Sequence, residues 1–229
     1  MSTYVWCEDS GSGFIFWKKV FDVMYDDFIV ETKKNNSELC KAVSKIVDDD
    51  NNYYILMDYA IDNPNVLRET QRLFSLITNK NNVSVIKIHS FEFVLLSFKL
   101  LTEWIFAEHD ELKEKRMKLI DFKDKLVNLI NNGGDDNAVR SLKESYDFSD
   151  TMNLEQLSAK VLFDITRNTG FETSKGKIGE CFIVDCCEWT DREDDDICGL
   201  NTERITGEAK IKSIFEQSVL KESFTKVGL

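Results

Sequence analysis

Apolar residues along the first hundred positions of the chain switch between two periods. Short runs dense in β-branched and aromatic residues, at 3–7, 28–32, 53–57 and 83–88, read as strands. Between the first three, apolar residues recur at helical spacing: Phe14, Trp17, Val20, Phe21 and Met24 in one segment, then Leu39, Val43, Ile46 and Val47 in the next. The run at 53–57 is continuously apolar, as expected of a strand covered on both faces of a parallel sheet. A third helix has a marked start at Asn63 and Pro64, a capping residue followed by the chain's one proline at the first helical position. A long apolar segment from residue 91 reads as a fourth helix. The order β-α-β-α-β-α-β predicts an open parallel sheet flanked by helices and joined by right-handed crossovers.

From about residue 98 the pattern changes to long helical periods rich in Glu, Lys and Leu, broken at the Asn- and Gly-rich stretch 131–136. A second helical stretch covers 138–167 with a break near Ser149, and a last helix lies near 208–221. The expected division is an α/β domain over 1–97 and a mainly helical extension over 98–229 that carries a cysteine-containing tail.

Charge narrows the function. The 229 residues carry a net charge of −12, which argues against a broad electrostatic grip on nucleic acid. Contact with a polyanion would have to be local, metal-bridged or shared with a partner. The longest apolar stretch, 91–106, is interrupted by Glu92, Lys99 and Glu103, so no membrane span is expected. With no basic-then-apolar leader at the start, the expected address is cytoplasmic and the six cysteines are expected to be reduced thiols. Cys181, Cys186, Cys187 and Cys198 could hold zinc as thiolates. They lack the paired two-residue spacing of such sites, and the adjacent pair would point to opposite faces of a strand.

Candidate chemistry concentrates at the strand ends. Glu8 follows the first strand and precedes the glycine-containing turn Asp9-Ser10-Gly11-Ser12-Gly13; Asp58 follows the third strand, and His89-Ser90-Phe91-Glu92 follows the fourth. In a parallel sheet these acids share the carboxyl edge, where ligands of α/β proteins sit. Hard cations such as Mg²⁺ take oxygen ligands of this kind, and Asp62 on the connection after Asp58 could join them. Asp9 is a spare acid that could instead cap the first helix with Ser10 and Ser12. His89 could act as acid or base, or close a strand end. Strand-end acids also commonly cap helices or face water, and the aromatic residues of 14–21 read as core. The acidic runs 48–50 and 191–196 read as solvated loops, and 175–179 as a turn or a basic loop near phosphate.

Glu8 with its turn, the segment Met57-Asp58-Tyr59-Ala60-Ile61-Asp62 and the segment Ser90-Phe91-Glu92-Phe93 together resemble a Toprim domain over roughly residues 1–105. The similarity is to OLD-like nucleases and to the small Toprim proteins of bacterial defence systems that work beside an ATPase. The resemblance implies Mg²⁺ or Mn²⁺ held by Glu8, Asp58 and Asp62, with Glu92 assisting, for hydrolysis of nucleic-acid phosphodiesters. The chain departs from the family pattern at Ala60, where a second aspartate is expected, and at Asp9, where glycine is frequent. The alternative the resemblance leaves open is a catalytically degenerate interaction or regulatory subunit. The segment 8–12 also approximates the Asp-x-Ser-x-Ser metal site of von Willebrand A-type binding domains, with glutamate in first place; that assignment makes Ser10 and Ser12 ligands.

Overall fold

The computed structural model describes residues 1–47, 49–188, 198–200 and 204–229. Four strands form, β1 (Thr3–Cys7), β2 (Phe28–Thr32), β3 (Asn52–Asp58) and β4 (Val83–Ile88). Every pairing is parallel, and the order across the sheet is β2-β1-β3-β4. Helices α1 (Ser12–Met24), α2 (Asn36–Ser44) and α3 (Pro64–Ile77) make the crossovers. The step from β1 to β2 runs one way along the sheet and the next two run the other way. Crossovers of one hand therefore put α1 on one face and both α2 and α3 on the opposite face.

The period-two alternation of the strands sorts their side chains between these faces. Val5, Cys7, Leu56, Ile86 and Ile88 join Phe16, Trp17, Val20 and Phe21 of α1. Ile55, Met57 and Val83 point the other way, onto Leu39 and Val43 of α2 and Leu73 of α3. The α1 face is much the more heavily covered. After β4 come α4 (Phe91–Ser97), α5 (Leu101–Ile105), α6 (Glu111–Lys115), α7 (Met117–Asn131), α8 (Asp136–Ser145), α9 (Leu154–Thr166), α10 (Gly207–Glu216) and α11 (Leu220–Thr225). Leu95 of α4, Phe122 of α7, Leu157 and Val161 of α9, Ile211 of α10 and Phe224 of α11 lie in the same apolar cluster as Val5 and Ile86. The helices beyond residue 98 thus build one continuous core with the sheet.

Several local expectations are corrected. The apolar segment after β4 is two helices, because Phe98 takes an extended conformation and the Ser97 hydroxyl, bonded to the Val94 carbonyl, accepts from the Val219 N–H. Helix α2 stops at Ser44, so Val47 falls outside its apolar stripe and is exposed, while Ile46 stays buried. β3 extends one residue further at each end, which makes Asp58 the last strand residue. The break between α8 and α9 spans 146–153. Cys186 and Cys187 lie outside regular structure, and the acidic run 191–196, like Asp48, lies outside the described residues. No helix among the described residues is long and apolar enough to cross a membrane.

The tail is tied down by close backbone approach. A Cβ placed on Gly179 would stand 2.3–2.7 Å from the backbone of Phe171, whereas one on Gly11 would meet nothing within 4 Å. Gly179→Ala should therefore destabilise the protein by about 1–3 kcal/mol through overpacking. Gly11→Ala meets no clash and should cost less, about 0.5–1 kcal/mol, through alanine's poorer fit at the start of α1. Urea unfolding midpoints of the two variants check the contrast.

Candidate functional site

The strand order reverses at β1, whose neighbours β2 and β3 are reached by chain segments running in opposite directions. A crevice opens outside the carboxyl ends of β1 and β3, the place where open α/β sheets take ligands. β1 delivers Glu8 and Asp9 to this crevice and β3 delivers Asp58. One Glu8 oxygen, Oε1, accepts from the Asp58 N–H at 2.6 Å, and the Glu8 N–H donates to the Leu56 carbonyl at 3.3 Å. These two bonds fix the Glu8 carboxylate over the end of β3.

Asp9 sits against the first turn of α1. Its Oδ2 accepts from the Trp17 indole N–H at 3.0 Å, and a Cβ on Gly13 would lie 2.4–2.6 Å from its carboxylate. Glycine at 13 is what allows that approach. The expected cap by Asp9, Ser10 and Ser12 does not form: the N-cap is Gly11, with no side-chain cap bond. Ser12, buried, accepts instead from the Ile178 N–H at 3.1 Å. Glu92 lies in the first turn of α4, 5% exposed, two residues after the cap Ser90, whose hydroxyl accepts from the Phe93 N–H.

Burial is the main force on the ionisation of these groups. It raises Glu8 to about 8, partly offset by the Asp58 N–H and reinforced by Asp9 and Glu155. It raises Asp58 well above the usual carboxylate range, with Glu8, Asp9, Glu155 and Glu92 all adding to the push. It raises Glu92 to about 7, again with Glu155 and Asp9 contributing, and it raises Asp9. The charged neighbours that push on these acids are themselves carboxylates. Beneath them the Cys7 thiol is pushed up to about 12 by burial and by Asp9 and Glu8, so it stays protonated.

Glu155 is the member that sequence reasoning missed. It occupies the first turn of α9, behind a capping box formed by Asn153 and Gln156. In the sequence that pattern signals only a helix start. The contact that brings it to the crevice is made by Asp62, whose Oδ2 accepts from the Leu154 N–H at 2.7 Å. Asp62 is therefore placed at the start of α9, and its other oxygen is buried without a partner among the described residues. Between them lies a cavity of about 10 Å³, room for about one water, lined by Asp58, Tyr59, Ala60, His89, Leu154 and Glu155. His89 packs edge-on to Phe93 at 5.2 Å. Burial lowers its basicity, and its Nδ1 is buried without a hydrogen-bond partner among the described residues.

The structure joins Glu8 to Asp58 directly, sets Asp9, Glu92 and Glu155 near enough to act on the ionisation of Asp58, and turns Asp62 toward α9. Among the described residues, no group of three or more His, Cys, Asp or Glu side chains forms a ready-made cage for a metal ion. The donor chemistry nevertheless suits a hard cation: carboxylates crowded in a poorly solvated crevice, with other carboxylates for neighbours. Ser12, a ligand in the adhesion-type alternative, has its hydroxyl engaged by the tail. In the tail, Cys181 and Cys186 are free thiols, and burial pushes Cys181 up. Comparison of the chain with family models, with curated proteins and with solved structures finds no match.

These shifts fix a sign. A carboxyl group whose folded pKa is raised contributes stability that is full below its unfolded value and is lost as the pH climbs through the folded value. For Glu8 that window runs from 4.5 to about 8, and Glu92, at about 7, falls inside it. In chelator, the melting temperature should fall as pH rises from 5 to 8. Glu8→Gln removes one titrating group and should flatten that slope, which thermal scans across the range will measure.

Proposed function

We propose that the protein is a divalent-cation-dependent hydrolase of nucleic-acid phosphodiesters, of the Toprim type, working in the cytoplasm beside an ATPase partner in a defence system. Two features support the reading. An all-parallel four-strand open sheet flanked by helices fits a Toprim-like layout. The observation that supports the chemistry is the Glu8 carboxylate held on the Asp58 N–H at 2.6 Å, with both acids raised by burial and Glu92 among the carboxylates that push on Asp58.

In this reading Glu8 and Asp58 hold Mg²⁺ or Mn²⁺, with Glu155 near enough to influence both and Glu92 near enough to influence Asp58. The bound cation supplies Lewis acidity toward phosphate and an activated water. The Asp58 N–H fixes the orientation of Glu8 before any ligand arrives, which limits reorganisation on binding. Glu92, raised to about 7, is suited to deliver or take a proton near neutral pH. Asp62 does not serve as a ligand here; it holds the first turn of α9, and with it Glu155, over the crevice.

A second reading has its own support. Ala60 replaces a carboxylate of the family pattern, and the start of α9 leaves room for about one water beside it. A non-catalytic subunit that docks on a partner through its helical extension would tolerate both.

Calorimetric titration with Mg²⁺ and Mn²⁺, paired with cleavage assays on DNA and RNA, separates the two. The hydrolase should bind one of these cations with release of protons from the raised carboxylates. Glu8→Gln and Asp58→Asn should each weaken that binding at least tenfold and abolish cation-dependent cleavage. Cleavage by Glu8→Gln at the wild-type rate would overturn the assignment. Absence of cation binding by the wild type, together with a stable partner complex, would establish the subunit reading.

A further inference from the structure

The tail places a basic turn at the rim of the acidic crevice. Ser174 and Lys177 form an isolated antiparallel bridge, with N–H to carbonyl distances of 2.8 and 2.9 Å, closed through Lys175 and Gly176. Gly176 sits at φ +84°, a backbone conformation that favours glycine at this point of a tight turn. Both flanks of the turn are anchored in the interior. On one side Thr173, fully buried, receives the Gly179 N–H at 3.0 Å on its hydroxyl, and its own N–H donates to the Thr166 hydroxyl at 3.1 Å. On the other side the Ile178 N–H donates to Ser12 in the first turn of α1, across 166 residues of sequence. The turn is thereby fixed beside Asp9, which lies against that same helical turn.

The tip is cationic and open. Lys175 and Lys177 are exposed, and the Lys175 ammonium stands 4.0 Å from Glu155, the outermost carboxylate of the cluster. The Lys175 side chain is 80% exposed, so this contact holds it loosely and contributes little to stability. What the pair does change is the local field. Once a cation has displaced their protons, Asp58 and the carboxylates that act on it, Glu8, Asp9, Glu92 and Glu155, present more negative charge to an approaching phosphodiester than one divalent ion cancels, on a chain of net charge −12. Two lysines on a rigid turn at the mouth supply the missing positive charge where a strand would enter.

We propose that the 174–177 turn is a phosphate clamp, in which Lys175 and Lys177 bind successive backbone phosphates of a single nucleic-acid strand at the entrance of the crevice. The proposal rests on the hydrolase reading for the identity of its ligand, and it assigns the local polyanion contact that the net charge requires. Lys175 leaves Glu155 for the phosphate, and the glycine between the lysines keeps the turn open to the backbone.

The test uses the full-length protein and a fluorescein-labelled single-stranded oligodeoxynucleotide, with Ca²⁺ in place of Mg²⁺ to suppress cleavage. Anisotropy titrations at several salt concentrations compare wild type, Lys175→Ala/Lys177→Ala, Lys175→Arg/Lys177→Arg and, as control, Lys226→Ala on the far tail. The alanine pair should raise the dissociation constant about tenfold and reduce the salt slope by about 1.4, the loss of roughly two phosphate contacts on a single strand. The arginine pair should bind as wild type does, Lys226→Ala should change nothing, and cation titrations should match in all four. A wild type that binds cation and strand, with an alanine pair that binds the strand equally well at the same salt slope, overturns the clamp and leaves the hydrolase reading intact. A wild type that binds the strand but no cation, with binding lost in the alanine pair, upholds the clamp and overturns the hydrolase. A wild type that binds neither overturns both.

Discussion

Crowding of carboxylates at one edge of one sheet is the constraint on which the rest of the molecule depends. Glu8 and Asp9 follow β1, Asp58 ends β3 and Glu92 lies in the first turn of α4; all four hold their protons more tightly than usual, first through burial and then through neighbouring carboxylates that include Glu155 of α9. Such a group of like charges is stable only if protons are retained or a cation is admitted. The surrounding architecture is arranged so that backbone and indole N–H donors reach the acids. The Asp58 N–H serves Glu8, the Trp17 indole serves Asp9, and the Leu154 N–H serves Asp62. Each of these bonds also joins two elements of the fold, so the acids are part of the framework as well as of the crevice.

Much of this was legible in the sequence, for a physical reason. A parallel sheet buried on both faces leaves short apolar strands and amphipathic crossovers, and those periods survive in any single sequence. Once β1, β3 and β4 are placed, Glu8, Asp58 and Glu92 must share an edge, because parallel strands all end on the same side. The position of Asp62 was also legible, but its partner was not. Its carboxylate meets an N–H 92 residues away, and no local pattern encodes which helix start will arrive there. Glu155 was hidden for the same reason, since a capping box looks the same over a site as over solvent. The split between α4 and α5 depends on the Ser97 hydroxyl meeting Val219 from the other end of the chain.

The helical extension is likewise more than an appendage. Leu157 and Val161 of α9, Ile211 of α10 and Phe224 of α11 enter the apolar cluster that covers the α1 face of the sheet. Without them that face would expose Phe16, Trp17 and Phe21, all now buried. Division of the chain near residue 98 therefore follows a change in sequence texture while the core runs through it. Buried cations reinforce the join: the Arg116 guanidinium donates to the Ile165 and Arg167 carbonyls at the end of α9, and the Lys210 ammonium to those of Cys181 and Val184.

The bond between Ser12 and Ile178 has a consequence for biosynthesis. It joins positions 166 apart, so a chain emerging from the ribosome presents Glu8, Asp58 and Glu92 long before residues 153–178 exist. During that interval neither the first turn of α9 nor the 174–177 turn can act on the acids. Closure by contacts of such long range comes late in folding. The newborn domain is thus chemically unfinished until most of its length has been made, a delay imposed by topology alone.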